Sequence, residues 1–557
     1  MYKSLSLIAA ALVLPAAAGA QTDTTASIAL DGSSISASIA NAAISSLRLT
    51  DINQDKLREN APGRTFPEMI RNIPGVYSTS ETGSFGDAKI NIRGFKQENI
   101  SVLLNGIPIS GLTSGSMYWN NWMGLSDATA SIQVQKGIGN SMLSDNSVGG
   151  TVNILTMRPS ERPRAEAGWY HTGAGVNNAF VNISTGNMPK GWNLTLMGSY
   201  NWGSTFVDCS RISSGSFLAV LDKSFRGGHR LNFTALGSPE AHQQRSVRLS
   251  YDEVEKYGVS YNKSWGWQTA EDGSRFQRTT ARNNYFKPYF TLTHSYDGGT
   301  SNAGGNGWKA FNTFYLAIAS GGGYYSESSG RRISSFVIPE GNDGEGQIDW
   351  DAVIADNAAA APDEYGRRAG NVMTDYLAGH IQAGLKSNIV KEFGDRADLD
   401  AGIHWQIYDT WEKERITDLL GADYWYEDYE HKSLAGLNGR NPIKGVGDYV
   451  RTHNGRIQNY FTAYALAHYK AGNEKQLIFT LGASVSATCL RRWDLYNYTE
   501  SEKWSDMASR AGGSVKGGVL YRLGRYSKFY ANAAFYSRVP RSEERRVGKE
   551  CVTECRS

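Results

Sequence analysis

Val102–Ile109 reads VLLNGIPI, and IRGF stands just ahead of it at Ile92–Phe95. Asn105-Gly106 between two short apolar runs predicts a tight hairpin, because a type I′ turn needs positive φ at both central residues. Pro108 in the second arm has no N–H, so that arm is expected at a sheet edge or beside a bulge. Such a small hairpin is out of keeping with the long aromatic strands that fill most of the chain.

The surroundings of the hairpin are made of equally short pieces. DINQDKLREN predicts a capped helix beginning at Asp51, and TFPEMIRNIPGV predicts a second one. In the second, Thr65 can cap, Pro67 is tolerated in the first turn, and Pro74 ends the helix. Met69, Ile70 and Ile73 give it one apolar face. KINIRGF, the hairpin, SIQVQKG, and GTVNILT after Gly149 read as compact strands. Helices and short strands mixed over roughly 110 residues predict a small α+β domain ending near Arg164.

From Ala165 the texture changes to runs of about ten residues with period-two alternation and aromatic ends, the pattern of tilted membrane-crossing strands. WNLTLMGSYNW is the first clear case, with Trp192, Leu194, Leu196 and Ser199 assigned to alternate positions. HRLNFTALG, YFKPYFTLTHSY, KAFNTFYLAIAS, DLDAGIHWQIYDTW, YFTAYALAHY, KQLIFTLGASVSA and KFYANAAFYSR follow the same rule. A soluble sandwich or propeller is the rival, but no regular blade period is visible. Connections come in two sizes, tight as at Arg226-Gly227-Gly228 and long as from Gly321 to Asp375, matching the unequal turns and loops of outer-membrane barrels. EGNDGEGQIDWD in the long connection offers oxygen ligands for a cation such as calcium. Its spacing does not match the DxDxDG frame, and a solvated loop is the plainer reading.

Bulk properties agree with a strand-built membrane protein. The 557 residues include 61 Gly, 30 Tyr and 14 Trp, and mean hydropathy is −0.43. No run of eighteen apolar residues follows the N-terminus, so spanning helices are not expected. A barrel alternates lipid-facing with lumen-facing residues and keeps a low average. The net charge of +3 is scattered rather than clustered, which argues against nucleic acid as a partner. MYKSLSLIAAALVLPAAAGA has the charged, apolar and small-residue regions of a secretory signal. The mature chain would begin at Gln21. Cys209 and Cys489 are too distant to make a disulfide framework.

The order IPGV (Ile73–Val76), IRGF, VLLNGIPI, IQVQKG (Ile132–Gly137) and VGGTVNIL (Val148–Leu155) resembles the TonB-dependent outer-membrane receptor family. The resemblance implies an α+β plug domain inside an antiparallel transmembrane β-barrel of about 22 strands. Its parts would be a signal peptide (1–20), a flexible arm with a TonB box (21–50), the plug (51–164), a partial barrel (165–540) and a non-barrel tail (541–557). It implies active transport across the outer membrane, first of a ferric siderophore or another metal chelate. Cobalamin, haem or an oligosaccharide are alternatives, as is a surface-binding or signalling receptor or a secreted β-rich adhesin without transport. The implied partners are TonB with its inner-membrane energising complex, outer-membrane lipid, the small-molecule chelate, and a surface lipoprotein if the cargo is a glycan.

Residue roles follow from the same resemblance. Asp23 and Thr24, in DTTASIA, are the candidate TonB contact, against a plain linker. Arg93 and Lys136 would reach glutamates on the barrel wall and lock the plug, against solvated surface charges. Lys136 lacks the planar fork of an arginine. Gly94, Gly106, Gly137, Gly149 and Gly150 permit tight turns and close backbone approach. Tyr118, Trp119 and Trp122, in SMYWNNWMG, offer a ligand floor or a packing face toward the wall.

Catalysis and cofactors find no support in the motifs. HExxH, GxSxG, CxxC and GxxxxGK[ST] are missing, the nine histidines are scattered, and the GIG at Gly137 lacks dinucleotide spacing. No enzyme activity, cofactor or metal site is expected, so energy would have to come from a partner. The candidate strands number about thirteen, fewer than the family's roughly 22. The tail RSEERRVGKECVTECRS carries nine charges in seventeen residues, and a charge at the bilayer midplane costs ~2–4 kcal/mol. The sequence-level expectation is therefore a truncated receptor with a foreign or out-of-frame tail and an open barrel wall.

Overall fold

The computed structural model describes residues 49–539 apart from 54–56, 58–65, 81, 82, 84–87, 138–147, 174, 299–306, 430–439 and 524–526. The signal stretch, the arm with Asp23 and Thr24, and the tail lie outside the described residues.

The first unit holds eight strands: β1 (Leu49–Asn53), β2 (Val76–Ser80), β3 (Ala88–Ile92), β4 (Phe95–Lys96), β5 (Ile100–Leu104), β6 (Ile107–Pro108), β7 (Thr129–Lys136) and β8 (Gly150–Thr156). Five of them form a mixed sheet in the order β1-β7-β8-β5-β6, with β5 and β8 parallel. The hairpin is the β5–β6 pair. Asn105 and Gly106 have φ of 50° and 80°, and Leu103 faces Pro108 across the turn. Pro108 therefore lies in an edge strand, where its missing donor removes no ladder bond. Every residue of β8 is buried, as a strand covered on both faces must be.

One expectation is corrected here. Asp51–Asn53 is not the start of a helix but part of β1, whose Leu49–Asn53 pairs with Ser131–Gln135 of β7. The unpaired edge of β7 supplies ladder partners that a three-residue helical start would lack. Leu57, further along the run, is buried in the domain core.

The wall begins with β9 (Arg164–His171), β10 (Val176–Ser184), β11 (Trp192–Ser204), β12 (Arg211–Ser224), β13 (His229–Gly237) and β14 (Glu240–Gln243). A loop hairpin, β15 (Trp265–Thr269) and β16 (Arg275–Thr279), precedes β17 (Arg282–Phe286), β18 (Tyr289–Asp297) and β19 (Trp308–Ser328). The next loop carries β20 (Ile348–Asp349), β21 (Pro362–Asp363) and β22 (Gly366–Arg367) before β23 (Asn371–Phe393) and β24 (Ala397–Asp418). After the loop pair β25 (Trp425–Tyr426) and β26 (Ile443–Lys444) come β27 (Tyr449–Ala471), β28 (Leu477–Asp494), β29 (Ala508–Leu523) and β30 (Ser527–Ser537).

Fifteen of these strands make one sheet. Both β13 and β14 pair with β12, and both β17 and β18 pair with β19. Each couple is one interrupted rung, so 15 − 2 leaves thirteen rungs. The sheet runs from β9 to β30, and these two end rungs are not paired with each other among the described residues. The wall is open, as the sequence predicts.

The interruption coincides with two prolines, one in each rung. Leu236 faces Tyr289 and Glu240 faces Tyr285, so the register continues unbroken across the gap. Between them Gly237–Pro239 and Phe286–Pro288 do not pair with each other, a slit between two adjacent rungs that keep their outer neighbours. Pro239 and Pro288 have no N–H, but their carbonyls accept from Gly215 and Ile318 of the outer neighbours, so the polar groups that face the slit are those of Ser238 and Lys287.

Alternation along the wall is that of a membrane barrel: apolar outward, polar inward. Ile381, Leu385 and Ile389 of β23 are exposed, while Gln382 and Lys386 between them are buried. In β11 Trp192, Leu196 and Tyr200 face out, and Asn193, Thr195, Ser199 and Asn201 are buried. Ser199 thus belongs to the lumen face rather than with Trp192 and Leu196, since its odd number sets it on the opposite side of the pleat.

The plug sits in the bore. Its core residues, among them Ile70, Val102 and Ile154, form one cluster with Met197, Leu218, Val220, Leu236, Tyr289, Tyr315 and Ala317 of the lumen face. At the long-loop end the connections pack on each other. β15 pairs with β20, and Ile333, Phe336, Trp350 and Val353 share a core with Met373 and Leu420. Asn357 fastens this cap, donating to the Asn371 and Leu419 carbonyls at 2.8 and 3.0 Å.

Candidate functional site

Three features of the plug's upper face turn on local chain chemistry. The Trp119–Trp122 turn is a single 3-10 segment, which sets Trp119 and Trp122, three residues apart, on one side of the turn, where their rings still take different neighbours. Trp119 is buried and stacks on Phe66 with ring centroids 5.0 Å apart, which commits it to the plug core. Trp122 is also buried but points at the wall, edge-on to Tyr289 at 6.3 Å. Tyr118 is 64% exposed. The aromatic triad is therefore divided: one ring inside the plug, one on the wall, one in open space.

The open space is a cavity of about 420 Å³ between Ile109–Trp122 of the plug and strands β17, β19, β23 and β24. Tyr118, Trp122, Tyr285, Tyr325, Tyr376 and Trp411 set aromatic faces among mostly polar and small lining residues, with Lys287, His380 and Glu412 carrying charge or a titratable ring. Glu412 accepts from the Tyr376 hydroxyl at 2.9 Å. The cavity lies toward the ends of β19, β23 and β24 that carry the long loops, the outer side of such barrels. Aromatic faces beside fixed polar groups can orient a small molecule.

Polar contacts fix the plug on two sides. Asp127, in the short helix Leu125–Ala128, accepts from Ser199 Oγ at 2.6 Å and Asn178 Nδ2 at 3.1 Å. Burial pushes its carboxyl above the ordinary carboxylate value, against the pull of those two hydrogen bonds. On the other side Lys386 of β23 donates from Nζ to the Gly106 carbonyl at 2.9 Å. Gly106 N–H is meanwhile taken by Asn153 Oδ1 at 3.0 Å, and Asn105 is bonded both ways to Thr156. The NG turn is thus held by the plug on one face and by the wall on the other. Gly124 fits against β12 beside the slit, where an added Cβ would meet Ser216 Cβ at 2.0 Å and lie 3.3 Å from Ser238 Oγ.

The two expected lock residues sit differently. Arg93 is exposed, in a left-handed turn with φ 52°, and makes no ion pair among the described residues. Lys136 is buried, and its Nζ donates to the Pro74 carbonyl at 2.6 Å, tying the QKG turn to the IPG turn inside the plug. The turn glycines separate by need. Gly94, Gly106, Gly137 and Gly150 have φ of 83°, 80°, 82° and 141°. Gly149 is required by contact, since a Cβ there would lie 2.7 Å from Phe95 Cβ.

The acidic run of the long loop is internally engaged. Asp349 caps the helix Trp350–Ala358, accepting from Ala352 N–H, Asp351 accepts from Thr269 Oγ1 at 2.6 Å, and Asp343 pairs with Arg275 at 2.8 Å. Among the described residues no group of three or more His, Cys, Asp or Glu is arranged to hold a metal.

Sequence reasoning missed Asp127, Lys287, His380 and Lys386. Lys287 carried a readable signal: it stands beside Pro288 in YFKPYFTLTHSY at an inward-facing parity. Asp127 and Lys386 carried none, because their partners are 72 and 280 residues away.

Comparison with known proteins agrees with this architecture. Residues 42–151 match the TonB-dependent Receptor Plug Domain model. A stretch of 125 residues is 32% identical to the Ferric enterobactin receptor PirA of Pseudomonas aeruginosa, covering 20% of this chain and 17% of that protein. Another of 123 residues is 30% identical to the Ferrienterobactin receptor of Escherichia coli strain K12, covering 20% and 16%. The matches thus span about a sixth of these relatives' lengths. Across 88% of this chain and 62% of the other, the fold superposes on the unliganded ferric citrate transporter FecA with a TM-score of 0.60 at 14% identity. The siderophore receptor PiuA from Acinetobacter baumannii gives 0.60 at 12% identity, over 89% and 65%.

Proposed function

We propose that this chain, a member of the TonB-dependent receptor family by its plug and its barrel wall, imports a ferric siderophore or a related metal chelate across the outer membrane. The observation that carries the proposal is a plug whose core is continuous with the lumen face beneath an aromatic cavity on the long-loop side. A solute bound there is separated from the far side by packed protein, so passage needs work done on the plug. The chain's sequence offers no nucleotide-binding loop, and a partner that pulls, TonB coupled to the inner-membrane proton gradient, supplies that work. Residues 1–20 act as the export signal, and Asp23 and Thr24 in the arm remain the proposed grip. The relatives' names, ferric enterobactin and siderophore receptors, favour iron chelates over cobalamin, haem or glycans.

The test is uptake of radiolabelled iron chelates by cells that lack their own receptors and express this chain. Saturable accumulation that stops on adding a protonophore, or on deleting TonB, is the expected result. Surface binding without accumulation would make the protein a binding receptor and refute import.

A further inference from the structure

We infer that Lys287 and His380 form an anion-accepting subsite in the wall of the aromatic cavity, which receives a carboxylate of the imported chelate. The inference rests on the import reading and adds the chemistry of the cargo. Lys287 is 6% exposed and lines the cavity. Among the described residues its ammonium meets the Trp122 ring at 5.1 Å and neither an ion pair nor a hydrogen-bond acceptor. A cation–π contact orients an ammonium but does not neutralise it, and a buried charge without a counter-charge is costly. His380 is 9% exposed, lines the same cavity, and its Nε2 has no hydrogen-bond partner.

The wall register sets the two groups at one level. Lys287 lies between the pairs Phe286↔Ser320 and Tyr289↔Ala317, hence level with Ala319, and Ala319 faces His380. Rungs are about 4.8 Å apart, so one alanine rung separates the lysine from the histidine. Ala319 is wholly buried, and Lys287 and His380 border the cavity on either side of it. A carboxylate oxygen at the cavity wall accepts from Lys287, and a turn of the His380 ring that brings its enclosed Nε2 to the cavity adds a second donor when that nitrogen carries the proton. The slit at Pro288 adjoins this point, so Lys287 enters the lumen from a stretch of backbone held by β19 alone, through Phe286↔Ser320 and the Ile318 N–H to the Pro288 carbonyl.

Two probes separate this from a purely structural role: iron(III) citrate, rich in carboxylates, and a neutral ferric trihydroxamate. Equilibrium binding to the purified full chain in detergent is followed by radiolabelled iron. Lys287→Met is expected to weaken iron(III) citrate binding about ten- to a hundredfold, the range for loss of a charged hydrogen bond, and to leave the trihydroxamate unchanged. Lys287→Arg should retain most of the citrate affinity. His380→Phe should give a smaller loss in the same direction. Equal losses for both probes, no loss for either, or wild-type binding of the trihydroxamate alone would overturn the subsite and leave import standing. Wild-type failure to bind any chelate would overturn both.

Discussion

The bond from Lys386 Nζ to the Gly106 carbonyl makes a quantitative claim about what holds the plug. Lys386→Met keeps the stem and the volume but removes the donor. A hydrogen bond to a charged group contributes about 1.5–3 kcal/mol, and the Gly106 carbonyl would be left in a buried setting without that donor. Against this, a buried cation also disappears, and its desolvation cost with it. We expect a net loss of about 1–3 kcal/mol in plug retention. At a urea dependence of roughly 1–3 kcal/mol per molar, that is a drop of about 1 M in the midpoint of plug release. The assay places a single cysteine at Leu103, which is wholly buried in the plug, in a chain whose own cysteines are changed to serine. Thiol labelling is then followed against urea. Lys475→Met, which removes a partly exposed lysine paired with Asp395 at a wall turn, serves as control and should not move the midpoint. An unchanged midpoint for Lys386→Met, or equal shifts in both variants, would refute the assignment of this contact as a plug anchor.

Other expectations use the same labelling readout. Gly150→Ala puts a Cβ 2.4 Å from the Gln135 carbonyl at φ 141° and should cost several kcal/mol, whereas Gly94→Ala, at φ 83° with open space around it, should cost about 1 kcal/mol. Trp119→Ala should destabilise the plug by about 3–5 kcal/mol, as expected for a buried aromatic. Tyr118→Ala should stay within about 0.5 kcal/mol and instead weaken chelate binding. Asp127 titrates above its unfolded value, so its contribution to plug docking is fully present below about pH 4 and is lost as pH rises through the raised value. The urea midpoint should therefore fall with rising pH in that window, and Asp127→Asn should flatten the slope.

How much of this was legible depended on the range of the interaction. The NG turn, the Pro108 edge and the glycine-dependent corners are local, since φ preference and missing donors act within four residues, and they appear where VLLNGIPI and VGGT predict them. The rung count survived for a similar reason: period-two alternation is written into each strand, even where Pro239 and Pro288 cut two of them. Reading β1 as a helix failed because Asp51 looks like a cap locally, while its actual partner is the far edge of β7. The site was partly visible. SMYWNNWMG marked the right segment, but Trp119 and Trp122 are told apart by distant partners, Phe66 and Tyr289, that the spacing does not convey. The cavity's other half comes from rungs more than 150 residues downstream, whose inward side chains are specified only by parity and by which rung lies opposite.

The slit at Gly237–Pro239 and Phe286–Pro288 keeps the same numbering relation on either flank, which bears on how readily evolution or an engineer could erase it. No residue has to be inserted or deleted; two imino acids exchanged for valine would lift the fixed ring φ and let Ser238 and Lys287, whose amides face the slit, close on each other. The wall would then be a seamless weave directly behind Trp122 and Gly124, and the lysine between them would lose its slack. Deuterium uptake at Ser238 and Lys287, fast in the natural chain and slowed in the zipped one, would show the seam closing.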